Sequence, residues 1–135
     1  MTREAARELL MQLIFQMGVQ KDFSEDLKHR FLRDYKIGAA QLKYIDDVYR
    51  AIADNLEVID NIINKASDGW STARMAKTDL AICRVALGEI LFADDIPEAV
   101  SLNEAVNLAK KFGTDNSQKF VNGLLGKAIR IKNEN

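Results

Sequence analysis

Thr78-Asp79-Leu80-Ala81-Ile82-Cys83-Arg84-Val85-Ala86-Leu87-Gly88-Glu89-Ile90-Leu91-Phe92 is the stretch on which the fold turns. Apolar residues appear here on almost every side of a helical wheel: Leu80, Ile82, Val85, Ala86, Leu87, Ile90 and Leu91. A helix that is apolar nearly all round has to be enclosed by other elements. The stretch therefore predicts a central, buried helix. Cys83, the only cysteine, lies inside it and reads as a small buried hydrophobe, since one thiol cannot form an intramolecular disulfide.

Toward the N-terminus, apolar residues recur at three and four rather than at two. Ala6, Leu9, Leu10, Leu13 and Met17 form a first stripe. Asp22 to Ser24 break it, and Ser24 is placed to cap a short helix through about Asp34. After a join at Gly38, the residues Leu42, Ile45, Val48, Tyr49, Ile52, Leu56, Ile59 and Ile63 predict one long amphipathic helix ending near Lys65. The stretch Ala66 to Ala73 reads as a connection between two halves, with the large ring of Trp70 buried at the join.

Toward the C-terminus, Asp94 to Val100 holds the only proline, Pro97, and reads as a loop. Ser101-Leu102-Asn103-Glu104 matches a capping box, in which Ser101 and Glu104 satisfy each other's backbone donors. That helix runs to Phe112 and stops at Gly113, read as a left-handed terminator. A last helix starts near Asp115, with Phe120, Val121, Leu124, Leu125, Ala128 and Ile129 on its buried side. Gly123 inside it reads as a place where another helix comes close. The expected fold is all-α, a single domain of about six to seven helices in two small sub-bundles sharing one core. The sub-bundles are expected over about 1–66 and about 72–135.

A chain of 135 residues is one domain's worth of protein. Such a chain buries roughly two-thirds of the surface its unfolded form exposes, so it needs no disulfide or metal staple. Hydrophobic residues at 47% and charged residues at 29% exclude disorder of the whole chain. No charged-then-apolar leader and no run of about 18 apolar residues occur, which predicts a cytoplasmic protein with no membrane attachment. One His and one Cys exclude a conventional zinc site, and no cofactor is expected. His29 stands between Lys28 and Arg30 and reads as a surface residue. Asp46-Asp47 and Asp94-Asp95 are adjacent in sequence, so neither makes a converging acid and base. No glycine-rich phosphate loop appears. Without a catalytic constellation, the chain reads as something other than an enzyme.

Charge points elsewhere. The net charge is only −1, yet from Lys110 to Lys132 six basic side chains (Lys110, Lys111, Lys119, Lys127, Arg130, Lys132) face one acid, Asp115. This is either a solvated helix face or a local phosphate-binding patch. Thr114-Asp115-Asn116-Ser117-Gln118 opens the last helix, whose first N–H groups lack intrahelical partners and suit an anion. Amides and hydroxyls there could read base edges, and Lys119 and Phe120 follow directly. Phe120 reads first as core and second as a platform on which an unpaired base stacks.

The second half holds a long ordered series: Trp70 with Arg74, Asp79 to Ala86 with Glu89, and Ile96-Pro97. It continues through Val100-Ser101-Leu102-Asn103-Glu104-Ala105-Val106, Leu108-Ala109-Lys110, Phe112-Gly113 and Lys119-Phe120-Val121-Asn122-Gly123-Leu124-Leu125. By this series the chain resembles the NusB family of transcription antitermination factors. Arg7-Glu8 and Gln12 to Phe15 extend the resemblance loosely over the rest. The resemblance implies two three-helix sub-bundles that bind the boxA element of nascent ribosomal RNA transcripts. Binding is joint with NusE, the small-subunit ribosomal protein that also serves transcription, and the complex joins elongating RNA polymerase. By matching positions, the implied RNA contacts are Arg3, Arg7, Phe15, Asp79, Asn116 and Phe120, to which the adjacent Lys119 is added. Monomer and homodimer both occur in the family. The segment Thr2 to Glu8 holds two arginines and two glutamates, which predicts few phosphate contacts and a shallow salt dependence. The same fold without useful RNA affinity, as a protein-interaction module, is the competing expectation. A NusB-like domain also precedes the catalytic domain of certain ribosomal RNA methyltransferases, but the residues up to Asn135 leave no room for one.

Overall fold

The computed structural model describes residues 1–134, and they form an all-α fold. Seven α-helices and a single 3-10 turn occur among the described residues: α1 (Arg3–Gln20), α2 (Glu25–Leu32), α3 (Ala39–Asp54), α4 (Leu56–Ala66), the 3-10 turn Thr72–Arg74, α5 (Lys77–Phe92), α6 (Glu98–Phe112) and α7 (Ser117–Asn133). The C-terminal boundary expected at Asn135 lies outside the described residues.

The run read as central is α5. Leu80, Ile82, Val85, Leu87 and Ile90 are all buried, as is Cys83, and the helix packs against α1, α3, α4, α6 and α7. Burial raises the Cys83 thiol pKa well above its usual range, so the group stays neutral. The first stripe also packs as expected, with Ala6, Leu9, Leu10, Leu13 and Met17 buried on α1. Thr2 caps that helix by accepting from Ala5 N at 3.0 Å. Ser24 caps α2 by accepting from Leu27 N at 3.2 Å. Where α5 crosses α3, a Cβ on Gly88 would stand 2.8 Å from Ile52 Cγ1, so the missing side chain is what lets the two helices meet.

Several expectations need correction. The long helix from Leu42 to Ile63 is two helices, broken at Asn55. Asn55 leaves helical geometry (φ −128°, ψ 27°), and its side-chain Nδ2 donates to Ala51 O at 2.9 Å, offering the backbone an alternative to the helical ladder. The apolar spacing hid this because Ile52, Ile59 and Ile63 all face the same core. Leu42, placed on that buried face, is exposed.

The capping box at Ser101 is absent, because α6 already begins at Glu98, with Pro97 in the N-cap position. Ser101 lies inside α6, fully buried, and its hydroxyl donates to Glu89. Gly113 closes α6 with extended backbone (φ −89°, ψ −168°), not left-handed; a Cβ there would stand 2.4 Å from the Ser117 side chain. α7 starts at Ser117, two residues later than Asp115, with Ser117 Oγ accepting from Thr114 N at 2.9 Å. Among the described residues no helix approaches Gly123: nothing lies within 4 Å of a Cβ built there. Trp70 is not buried at the join. Half of it is exposed, at 50%.

Candidate nucleic-acid interface

Of the expected contact residues, Arg7 is the one the fold consumes. The residue is 4% exposed, and its guanidinium grips Glu89 of α5 in two-pronged fashion, Nε to Oε2 at 2.7 Å and Nη2 to Oε1 at 3.1 Å. Glu89 is fully buried and also accepts from Ser101 Oγ at 2.8 Å and from the Tyr44 hydroxyl. Glu104 lies 3.9 Å from Arg7 Nη1. Burial opposes the charge on Arg7, but the hydrogen bond to Glu89 and the neighbouring charges prevail and raise its pKa. The Arg7 donors therefore point at carboxylates inside the protein, not outward as expected of a phosphate contact. Arg3, one turn earlier, lies nearer the surface. It donates from Nε to Gln41 Oε1 at 2.7 Å, and its guanidinium stands 4.3 Å from the Tyr44 ring centre.

Phe15, Asp79 and Arg3 fall in separate places. Phe15 is 38% exposed and lines a cavity of about 350 Å³ with Phe23, Lys77, Leu80 and Arg84. Asp79 is buried in the first turn of α5, and its Oδ1 accepts no hydrogen bond among the described residues. A carboxylate there is favoured by the helix N-terminus. Arg3 lines a second cavity with Lys43, Asp47, Phe92 and Asp95.

Asn116, Lys119 and Phe120 do come together. They line one cavity of about 580 Å³ between the start of α7 and the turn after α4. Phe120 is partly buried, packing on the core and lining the cavity at once, so both readings of it describe one ring. The Asn116 side chain makes no capping bond to the helix it precedes. Lys119 and Arg130 have no ion-pair partner among the described residues, while Lys127 pairs with Asp68.

Sequence reasoning missed Trp70 and Gly123 as parts of this surface and counted Lys127 and Arg130 only within the C-terminal basic run; all four line the same cavity. The helical period was the available signal: 116, 119, 120, 123, 127 and 130 are spaced by three and four, so they share one face of α7. Trp70 also gave a signal, standing in the polar stretch Ser67-Asp68-Gly69 and not in an apolar run.

The chain can be set beside known proteins. The profile described as "NusB family" matches residues 4–130. The transcription antitermination protein NusB of Acetivibrio thermocellus is 43% identical over 132 residues, covering 98% of this chain and 91% of that protein. Its counterpart in Alkaliphilus oremlandii is 43% identical over 129 residues, covering 96% and 94%. Among solved structures, Thermotoga maritima NusB ("T. maritima NusB") superposes with a TM-score of 0.85 at 32% identity, covering 96% of this chain and 92% of that one. A structure of "Antitermination Factors NusB and NusE in complex with dsRNA" superposes with a TM-score of 0.86, covering 96% of each chain; at 20% identity it shows the shared fold. By the match along nearly its whole length and by its fold, this chain belongs to the NusB family.

Proposed function

We propose that the chain is a transcription antitermination factor that binds single-stranded boxA-type RNA together with NusE and acts, without catalysis of its own, on elongating RNA polymerase. One observation carries this reading beyond family membership: Asn116, Lys119 and Phe120, far from any core requirement for an amide and a free cation, meet in one solvent-open cavity at the start of α7. An amide reads base edges, a lysine holds phosphate and an aromatic ring packs on a base. Arg3 and Phe15 stay in the set as separate contacts on α1, each in a cavity of its own. Asp79 keeps its place in the set as an acceptor whose Oδ1 a base-edge N–H could fill. No helix among the described residues is long and apolar enough to cross a membrane. We place the protein in the cytoplasm, where nascent transcripts are made. We also retain the division into sub-bundles over about 1–66 and about 72–135.

The sparse cations make joint binding the sensible mode. Two weak surfaces in one complex share the ordering cost of a flexible RNA. Fluorescence anisotropy with a labelled boxA-type RNA should therefore give tighter binding with NusE than without it. Equal affinity in the two titrations would sink the cooperative part of the proposal.

A further inference from the structure

Two features of the α7 cavity are not what core packing alone would select. Trp70 is the only tryptophan, yet half its surface is exposed. Gly123 interrupts a helix that alanine would strengthen, and nothing packs over it. Both line the same cavity. Resting on the RNA reading above, we propose that Trp70 and the bare backbone at Gly123 form a slot for one unpaired RNA base, with the flanking phosphates on Lys119 and Arg130.

The platform is built, not loose. The chain turns sharply after α4 through left-handed backbone at Asp68 (φ 53°) and Gly69 (φ 94°). The second of these values suits glycine and few other residues. The buried Ser67 fastens the turn: its hydroxyl donates to Trp70 O, and Trp70 N donates to Ser67 O at 3.3 Å. The Arg74 guanidinium stands 5.2 Å from the Trp70 ring centre and helps hold the indole in place. Across the cavity, α7 presents Gly123 with Lys119 on the turn before it and Lys127 and Arg130 on the turns after it, and Asn116 stands at the N-cap. A cavity of about 580 Å³ is within the range that takes small ligands.

The chemistry of the lining favours a nucleotide. Every base has a π-face that stacks on an indole, and stacking tolerates any sequence. Asp68 is the one acid in the lining, and Lys127 neutralises it, so Lys119 and Arg130 leave the cavity net positive. A planar base could lie against the helix backbone only where no Cβ stands, which accounts for glycine at 123.

Trp70, as the sole indole, reports on its own site. The protein is titrated, alone and with NusE, with a single-stranded boxA-type RNA while tryptophan emission and RNA anisotropy are recorded together. The Trp70→Phe protein supplies the background emission. Emission should fall in step with the anisotropy change, and a duplex of the same sequence should quench it far less. Trp70→Ala should weaken binding about tenfold or more, with Trp70→Phe retaining most of the affinity and neither variant melting much lower. Gly123→Ala should melt about 3–5 °C higher yet bind several-fold more weakly, a pairing that a merely structural glycine would not give. Saturable binding with unchanged emission, and with Trp70→Ala and Gly123→Ala as tight as the parent, overturns the slot and leaves the RNA reading standing. No saturable binding with or without NusE overturns the RNA reading, and the slot with it.

Discussion

Glu89 gathers Arg7, Tyr44 and Ser101 from three different helices onto one fully buried carboxylate. Such a cluster is not in itself evidence of high stability, but removing one partner leaves the other charge unpaired in the core. Glu89→Ala should therefore destabilise the protein by about 3–5 kcal/mol in urea unfolding, and Arg7→Ala should lower stability and only thereby affect RNA. An Arg7→Ala protein that stays as stable as the parent would return Arg7 to the RNA surface. Tyr44 adds a pH signature. Burial raises its pKa above the ordinary 10.0, the charge of Glu89 raises it further, and Arg7 only partly offsets them. A pKa raised on folding means that the folded state resists losing the proton. Tyr44 should thus contribute fully below pH 10.0 and lose its contribution as pH rises beyond it. Urea midpoints measured from neutral pH to above pH 10 should fall less steeply in Tyr44→Phe than in the parent. Identical slopes would mean that Tyr44 ionises as freely folded as unfolded.

Two glycines in the interiors of neighbouring helices show how much an element's sequence says and what it withholds. Each weakens its helix by about 1 kcal/mol relative to alanine, and in sequence they look alike. At Gly88 an added Cβ would come within 2.8 Å of Ile52 Cγ1 and 3.2 Å of Val48 Cγ1, both on β-branched side chains whose rotamers are stiff in a helix. Gly88→Ala should consequently destabilise by about 1–2 kcal/mol net, overpacking outweighing the propensity gain. The opposite sign at Gly123 follows from the open space over it. A Gly88→Ala protein that melts above the parent would show that α3 and α5 can separate cheaply. The α5 run, the α1 stripe and the Ser24 cap were legible because each is a local rule obeyed locally. The break at Asn55, the true start of α6 and the exposure of Trp70 were not. Ser101 fits a capping box by residue type, but its hydroxyl is claimed by Glu89, twelve residues back on another helix. Arg7 likewise reads as a phosphate contact until its partner, 82 residues away, is known.

Across the whole molecule about half of the lysines and arginines are held in ion pairs among the described residues. Lys28 pairs with Asp46, Arg84 with Asp60, Lys111 with Glu8 and Lys132 with Glu98, and all four pairs join different helices. They tie the shell around α5, and a net charge of −1 leaves no broad positive field to attract nucleic acid from a distance. What remains for phosphate in the α7 cavity is Lys119 and Arg130, with Lys127 available if a phosphate displaces Asp68. Each neutralised phosphate of a single strand releases counterions and adds about −0.7 to the slope of log affinity against log salt concentration. Two or three contacts predict a slope of about −1.4 to −2.1 for the isolated protein. Stacking on Trp70 and Phe120 does not release ions, so affinity that survives into high salt should carry the aromatic share. Lys119→Ala and Arg130→Ala should each make the slope shallower by about 0.7, whereas Trp70→Ala should lower affinity at every salt concentration and leave the slope alone. Titrations at four or more salt concentrations measure both quantities at once. A slope much steeper than about −3 would mean that the RNA path runs over many more cations than this cavity holds, along α1 and Arg3.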